Sequence, residues 1–370
     1  MAALGSAAPV IVELLRIDGL RSLDGVELLL GPGFNLLVGG NGAGKSSIVE
    51  ALHLCGHGRS FRSPSPDALI GHDAGRFSVF ARFKDGHGHL RQLGLGREPG
   101  TWVLRLDGAT AQSLSECLQS FTVVCIEPEA CGLVSGSGEG RRRFLDWMLF
   151  HVEPDFIGVA RRYQRALRQR NAALRSGLGD AQLDIWEQEM SLAGESIDGW
   201  RRGILTALEA PMMQALQMLV PMLDASALGY RGGWPAEMSL AEALREGRAS
   251  DRERGFSQRG PHRGDWRLRL PGRLEQQDLS RGQAKLASIC AHLAQAQVLR
   301  DQLGSWPLFA CDDLGSELDA EHLGRVLEWL AGTGAQVVLT ATHLDERWQA
   351  WQSHAGAVFH VEQGRVRPLL

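Results

Sequence analysis

The residue pattern with the clearest chemistry is the phosphate-binding motif G-x-x-x-x-G-K-[ST], which residues 39–46 match at every fixed position. In such a loop the glycines let backbone N–H groups turn toward phosphate oxygens at the positive N-terminus of a helix. Lys45 would reach the β- and γ-phosphates, and the Ser46 hydroxyl would ligate Mg²⁺. The alternative is a glycine-rich turn that happens to end in Lys-Ser. The residues predicted here to bind ATP are Gly39, Gly40, Asn41, Gly42, Ala43, Gly44, Lys45, Ser46 and Ser47.

The sequence on either side of this loop favours the phosphate-binding interpretation. Residues 34–38 are an apolar run of strand length, and residues 46–54 have the apolar spacing of a helix. Lysine occurs only at positions 45, 84 and 285 of this arginine-rich chain. Because a planar guanidinium does not replace a compact ammonium between phosphates, we predict a catalytic role for Lys45.

Two adjacent carboxylates end an apolar segment near the C-terminus. Residues 307–313 predict a buried strand that finishes in Asp312 and Asp313. Asp312 is predicted to hold Mg²⁺ directly or through water, and Asp313 to orient or deprotonate the attacking water. A helix cap or turn is the structural alternative. His343, which follows a predicted strand at 337–340, is either a γ-phosphate sensor or a surface histidine.

Residues 279–283, Leu-Ser-Arg-Gly-Gln, precede a predicted helix over residues 284–299. They match the L-S-x-G-Q signature of ABC-type ATPases, in which the serine and the helix N-terminus address the γ-phosphate of a nucleotide held by another subunit. Ser280, Gly282 and Gln283 are therefore predicted to bind ATP across a homodimer. As local structure alone, the segment is a capping box with Ser280 as the N-cap and Gln283 three residues later.

The elements that must position these residues predict an α/β fold. Apolar and alternating runs predict an antiparallel ribbon and then a β meander, at residues 10–15, 26–30, 76–83, 90–95 and 102–106. From about 141 to 218 the pattern is mostly helical, without a sustained heptad. We expect an ABC-type P-loop ATPase head with an antiparallel β meander, plus an inserted, mainly helical lobe without a long coiled coil. The predicted limits are 1–120 and 259–370 for the two parts of the ATPase domain and 121–258 for the lobe.

Arginines crowd the predicted lobe. Arg161, Arg165 and Arg168 recur at spacings of four and three, so they share one face of a helix. Arg141 and Arg142 stand in a run of three arginines. We predict that these five arginines contact DNA phosphates. A solvated helix face is the alternative.

Composition limits the other classes of function. The net charge of −4 and the pI near 6.3 do not indicate a nucleic-acid binder, so any nucleic-acid partner would have to meet a local basic face. The six cysteines show no metal-ligand pairing or disulfide spacing and are expected to be reduced core residues. Residues 1–10 lack a secretory pattern, and no run reaches the roughly 18 apolar residues of a membrane span. A cytoplasmic protein without a membrane partner is expected.

Several segments together resemble the RecF family of DNA replication and repair proteins, nearly from end to end. The segments that carry the resemblance are Gly33–Gly39, Gly56–Arg62, Pro128-Glu129, Arg142–Asp146, Gln169–Leu174, Gly260–Asp265, Ser280–Gln283, Asp312-Asp313 and Ser316–Asp319. The resemblance implies an ABC-type head related to chromosome-maintenance ATPases but lacking their arms. One departure is Asp312-Asp313, where ABC transporters commonly have Asp-Glu; the shorter base is consistent with slow turnover.

The resemblance also implies a function. It implies ATP-dependent dimerisation on DNA at single-strand gaps and duplex junctions, action with RecR and RecO to help load RecA, and a place in DNA replication, DNA damage and the SOS response. ATP hydrolysis is expected to be weak and slow, to be stimulated by DNA and to serve as a switch. Two alternatives stay open. One is an ABC ATPase subunit of a membrane transporter, and the other is a DNA scaffold that uses ATP only structurally.

Overall fold

A computed structural model gives the fold of the chain and describes residues 8–128, 130–223, 227–270, 276–343 and 355–369. Two sets of residues used in the sequence analysis lie outside the described residues. They are residues 1–7, which belong to the segment tested for a secretory pattern, and Glu129, which belongs to the family resemblance. The strands are β1 (Ile11–Asp18), β2 (Val26–Leu29), β3 (Phe34–Val38), β4 (Phe77–Lys84), β5 (Leu90–Glu98), β6 (Thr101–Leu106), β7 (Ala109–Thr110), β8 (Val123–Ile126), β9 (Ala227–Arg231), β10 (Asp265–Arg269), β11 (Leu308–Cys311), β12 (Val337–Ala341), β13 (Ala355–Glu362) and β14 (Arg365–Pro368). The helices are α1 (Lys45–His57), α2 (Leu114–Gln119), α3 (Gly138–Val152), α4 (Phe156–Arg175), α5 (Asp180–Leu219), α6 (Leu240–Glu246), α7 (Arg248–Arg254), α8 (Arg281–Leu303), α9 (Leu314–Glu317) and α10 (Ala320–Thr333).

The chain divides into two compact units. Unit 1 comprises residues 1–131 and 288–370, and unit 2 comprises residues 132–287. This division differs from the predicted limits at 121 and 258, and strand pairing explains both differences. β8 pairs in parallel with β11 of unit 1, and β10 pairs antiparallel with β9 of unit 2 along its whole length. Pairing partners so distant in sequence are not encoded in local periodicity.

Unit 1 contains a mixed sheet with the strand order β14-β13-β3-β12-β11-β8. All neighbours in it are parallel except the edge strand β14. Every residue of β3, β8, β11 and β12 is buried. Parallel strands are covered on both faces, so they appear in sequence as continuous apolar runs. That is why these four strands were predictable.

A second, antiparallel sheet of unit 1 has the order β2-β1-β4-β5-β6-β7. β4 alternates between buried and less buried residues, as expected for a strand with one face on the core. Helix α1 contacts β4 and β5 of this sheet and β8, β11 and β12 of the mixed sheet. The predicted ribbon and meander are therefore confirmed, and α1 is held from both sides by one continuous core.

Unit 2 is mainly helical, with α4 packed along the 40-residue helix α5 and with β9 and β10 as a two-stranded sheet. The break between α4 and α5 includes Gly177 at φ 65°, a left-handed conformation that favours glycine. The helical character predicted for 141–218 is confirmed. All six cysteines of the chain lie among the described residues, and all are buried and reduced. Within the described ranges, no helix is both long enough and apolar enough to cross a bilayer.

Candidate nucleotide-binding site

The candidate site lies at the carboxyl edge of the parallel strands of unit 1. β3 leads into the loop that begins at Gly39, and β11 leads into Asp312 and Asp313. Ile126, the last residue of β8, is paired with Cys311, the last residue of β11. Because parallel strands end at the same edge, the residues that follow them converge, which is where open α/β sheets bind ligands.

The glycines of the loop are required by its backbone. Gly42 and Gly44 have φ values of 78° and 114°, in the region that side chains disfavour. A Cβ atom on Gly39 would lie 2.0 Å from the backbone oxygen of Val361 in β13. Helix α1 begins at Lys45, directly after Gly44. The loop therefore places a helix N-terminus at the edge of the sheet, as the phosphate-binding motif requires.

Lys45 is folded over its own loop. Its Nζ donates hydrogen bonds to the carbonyl oxygens of Gly39, at 2.6 Å, and Gly40, at 2.9 Å. Burial lowers the pKa of Lys45, and the negative charges of Asp312 and Asp313 act in the opposite direction. The ammonium group is thus held near two carboxylates at the N-terminus of α1. There it can replace its hydrogen bonds to carbonyl oxygens with hydrogen bonds to phosphate oxygens.

Asp312 is held by hydroxyl groups from two elements. Thr340 Oγ1 in β12 donates to Asp312 Oδ1 at 2.9 Å, and Ser46 in α1 also bonds the Asp312 side chain. The same Thr340 oxygen accepts the backbone N–H of Asp313 at 2.8 Å. Asp313 has a φ of 57°, which is uncommon for a residue with a side chain. Asp312, Asp313 and Ser46 are therefore brought together, as the sequence predicts.

The donor set suits a magnesium ion. Burial raises the pKa of Asp312, the hydrogen bonds from Ser46 and Thr340 lower it, and the charge of Asp313 raises it. A buried carboxylate beside a second carboxylate and a serine hydroxyl offers the hard oxygen ligands that Mg²⁺ prefers. Ser46 and Asp312 are the residues that would hold the ion. This fits the sequence prediction, in which both residues are metal ligands.

A cavity of about 630 Å³ opens over this edge of unit 1. Its lining includes residues 41–47, Asp312, Asp313 and Thr340. It also includes Arg62, for which the sequence leaves open a solvated loop or a contact to nucleotide or DNA phosphate, and Arg21, Phe61 and Glu127, for which the sequence predicts no such role. Glu127 is 7% exposed and directly follows β8. The sequence could have pointed to Glu127 only because it follows a buried strand. Nothing in the sequence indicates that this strand, β8, lies next to β11.

The signature segment forms a capping box at the start of α8. The Gln283 N–H donates to Ser280 Oγ at 3.2 Å, and Gln283 Oε1 accepts the Ser280 N–H at 3.0 Å. Ser280 and Gly282 are exposed, and a Cβ atom on Gly282 would meet nothing within 4 Å. The capping box predicted from local structure is thus present, and Ser280 and Gly282 are accessible to another molecule.

His343 is exposed after β12, 3.3 Å from the Thr342 hydroxyl. Among the described residues, those that line the cavity do not include it. The surface-histidine interpretation therefore fits this structure better than the sensor interpretation.

The arginines predicted to contact DNA fall into two groups within unit 2. Arg161, Arg165 and Arg168 are exposed on α4, whose opposite side buries Tyr163 and Leu167. The shared face predicted from their spacing is therefore present. In the part of the chain that the structure describes, Arg165 and Arg168 have no ion-pair partner.

Arg141 is used inside unit 2. It is 5% exposed, and its guanidinium forms a bidentate pair with Asp265, at 2.8 and 3.1 Å. It also donates to the carbonyl oxygens of Val134 and Gly136. Removing such a charge from its partners is costly, so we withdraw Arg141 from the predicted DNA contacts. Arg142 is half-buried and donates to the Gly264 carbonyl oxygen at 2.8 Å.

Arg170 shows why an arginine-rich stretch is not by itself a DNA-binding face. It follows Arg168 on α4 but is fully buried. Its guanidinium pairs with Glu187 and Asp251 and donates to Ser257 Oγ at 2.8 Å. This arginine therefore joins α4, α5 and α7 inside unit 2, whereas its neighbours face solvent.

Comparison with known proteins agrees with this geometry. A family model described as RecF/RecN/SMC N terminal domain matches residues 11–367. The chain is 45% identical over 363 residues to the DNA replication and repair protein RecF of Xanthomonas euvesicatoria pv. vesicatoria (strain 85-10), covering 95% of this chain and 97% of that protein.

Solved structures are similar as well. One, described as the recombination mediator protein RecF-ATPrS in the RecFOR pathway, has a TM-score of 0.87 at 25% identity, with 99% of this chain and all of that chain covered. The Smc head domain from Pyrococcus furiosus, with an extended coiled coil and bound to the C-terminal domain of ScpA, has a TM-score of 0.58 at 14% identity, with coverage of 97% and 96%. The latter likeness shows the fold alone, that of an ABC-type ATPase head.

Proposed function

Since this chain belongs to the RecF family, within the RecF/RecN/SMC N terminal domain family, we propose that it is an ATP-dependent DNA-binding protein of recombinational repair in the RecFOR pathway. The observation that carries this proposal is the meeting of the phosphate loop with Asp312, Asp313 and Glu127 in one cavity of unit 1. ATP binds there through residues 39–47, with Lys45 on the β- and γ-phosphates.

Mg²⁺, when bound, neutralises charge on the β- and γ-phosphates. The protein's own part is positional. Ser46 and Asp312 hold the ion, and Thr340 keeps Asp312 and the Asp313 backbone in place. Asp313 orients the attacking water, and turnover is slow because a short carboxylate positions that water less well than a longer one. Glu127, buried at the same edge, adds a third carboxylate to the cavity.

The complete site is composite in this proposal. Ser280 and Gly282 of a second copy approach the γ-phosphate, which their exposure at the start of α8 allows. ATP then stabilises the dimer, and hydrolysis removes contacts and loosens it. Arg161, Arg165 and Arg168 contact DNA phosphates, with Arg142 as a further contact, at single-strand gaps and duplex junctions. The dimer acts there with RecR and RecO to help load RecA.

A mixing experiment tests the composite site. Lys45→Met and Ser280→Arg proteins are each prepared as the full chain, and each is expected to be inactive alone. In a mixed dimer, one of the two sites combines an intact Lys45 with an intact Ser280. Because half of the randomly formed dimers are mixed and each has one intact site, mixing should restore about a quarter of the wild-type phosphate release. If the mixture stays as inactive as its components, the composite site is refuted. Phosphate release by the wild type, with and without DNA, separates this function from a scaffold that uses ATP only structurally.

A further inference from the structure

Two imidazoles and one thiol meet behind the phosphate loop, within unit 1. His53 and His57 lie four residues apart on α1, so they share one face of the helix. Cys125 lies on β8. One ligand atom from each of the three side chains lies within 4.8 Å of the others. The linear spacing of the cysteines, which predicts no metal-ligand pairing, does not reveal this group because its members come from two elements.

His53 is the residue that points to a ligand. It is 5% exposed, and neither of its ring nitrogens has a hydrogen-bond partner among the described residues. Its ring stacks on that of His57, with centroids 4.0 Å apart and planes at 2°. A buried polar group without a partner is costly and uncommon in native proteins. The His53 imidazole has two such nitrogens and lies against a second imidazole and a thiol. Its burial is explained if one of its two nitrogens binds a metal ion.

His57 has the outer contact that metal-binding histidines commonly have. Its Nε2 lies 3.2 Å from the backbone oxygen of Val123. A carbonyl oxygen only accepts, so Nε2–H is the donor, and such a bond orients the ring toward a metal. The close approach of α1 to β8 depends on Gly56, where a Cβ atom would lie 2.4 Å from Val123 Cγ1. The backbone is thus arranged to bring this helix face against β8.

We propose that His53, His57 and Cys125 bind one Zn²⁺ ion, with water as the fourth ligand. Two imidazole nitrogens and one thiolate are a borderline-soft donor set that suits Zn²⁺ and not Mg²⁺. Bond lengths of about 2.1 Å to nitrogen and 2.3 Å to sulfur separate tetrahedral ligands by about 3.3–3.7 Å. The distances between the ligand atoms must therefore shorten by about 1 Å, and the stacked rings of His53 and His57 must tilt relative to each other. Binding releases the Cys125 thiol proton to solvent, and water enters on the side of the half-buried His57.

The ion would tie together two elements that also form the nucleotide cavity. α1 begins at Lys45, and β8 leads into Glu127. Phe61, which lines that cavity, packs edge-on against His53 with centroids 5.2 Å apart. Zn²⁺ should therefore stabilise unit 1, a property separate from ATP turnover.

The test uses the full chain without a polyhistidine tag, freed of metal with a chelator and then dialysed against Zn²⁺ or Co²⁺. The wild type should retain about one Zn²⁺ per chain by elemental analysis. Its melting temperature should rise when Zn²⁺ is added. The Co²⁺ form should show thiolate-to-metal charge-transfer absorption. His53→Phe keeps a ring in the stack without a nitrogen, and Cys125→Ala removes the thiolate. Each variant should lose the metal and the Zn²⁺-dependent rise in melting temperature.

The matched control is Cys290→Ala, which removes another buried thiol of unit 1 from helix α8. It should keep the wild-type zinc content. Wild-type protein that retains no Zn²⁺ overturns the proposal, as does a folded His53→Phe or Cys125→Ala protein that binds as much Zn²⁺ as the wild type. Circular dichroism establishes whether each variant is folded. If one variant does not fold, the zinc content of the other variant is enough to test the proposal.

Discussion

Thr340 holds Asp312 in place, since its Oγ1 donates a hydrogen bond to Asp312 Oδ1 at 2.9 Å. The same oxygen accepts the backbone N–H of Asp313, so one buried hydroxyl positions both carboxylate residues of the candidate site. β11 supplies the two aspartates and β12 supplies the threonine, and these strands are parallel neighbours.

Thr340→Val keeps the shape of the side chain but removes both hydrogen bonds. Because residues that orient metal ligands typically contribute 10–100-fold, Mg²⁺-dependent ATP turnover should fall by about tenfold or more. Stability should also fall by about 1–3 kcal/mol, because the partly buried Asp313 N–H loses its acceptor and the buried Asp312 carboxylate loses a donor. Steady-state phosphate release at several Mg²⁺ concentrations checks the first effect. Thr340→Ser restores the hydroxyl and should recover most of the activity; equal loss in the two variants would contradict the role of the hydrogen bonds.

Lys45→Arg should weaken ATP binding at least about tenfold, since a planar guanidinium does not fit the position of a compact ammonium between the loop carbonyls. Titration with a fluorescent ATP analogue measures the affinity. Lys84→Arg, on β4, is the matched control and should bind like the wild type. Wild-type affinity in the Lys45→Arg protein would remove Lys45 from the site.

Asp313→Asn should slow hydrolysis by about 10²-fold or more, because the carboxylate that addresses the attacking water is lost. ATP binding should persist, so the protein should accumulate as an ATP-bound dimer on DNA. Light scattering with saturating ATP and Mg²⁺ measures the molar mass, and ADP serves as the control nucleotide. A protein that stays monomeric with ATP would speak against ATP-gated dimerisation.

Arg165→Gln combined with Arg168→Gln should weaken DNA binding and make it less dependent on salt. Each lost phosphate contact should reduce the log–log salt slope by about 0.9 on duplex DNA. Fluorescence anisotropy over a range of salt concentrations gives the slope. Arg325→Gln on α10 is the control, because Arg325 is partly exposed and pairs with Glu321, and it should keep the wild-type slope. An unchanged slope in the double variant would show that this face of α4 does not contact DNA phosphates.

His292 should make unit 1 sensitive to acid. Burial lowers the pKa of His292 to about 4 from its usual 6.5. Between these values the unfolded chain binds more protons, so stability falls as pH decreases through 6.5 and the loss levels off below 4. At pH 5 the loss amounts to about 2 kcal/mol. His292→Gln should therefore lose about 2 kcal/mol less than the wild type between about pH 7.5 and pH 5, as measured by urea unfolding. An identical loss in both proteins would contradict the assignment.

The sequence alone determined the features that depend on consecutive residues. The phosphate loop, the buried strands that flank it, the capping box at Ser280 and the two aspartates after β11 all follow from local spacing and residue type. The helical lobe and the meander also follow, because periodicity reports which side of each element is apolar.

Tertiary structure decided which distant residues meet. Glu127 reaches the cavity because β8 lies beside β11, and Arg141 is withdrawn from solvent by Asp265, 124 residues away. Cys125 meets two histidines of α1 because that helix packs against β8. Spacing along one element shows which residues share a face, but burial and charge pairing depend on what packs against that face, and that partner is set by long-range contacts that a local pattern does not contain.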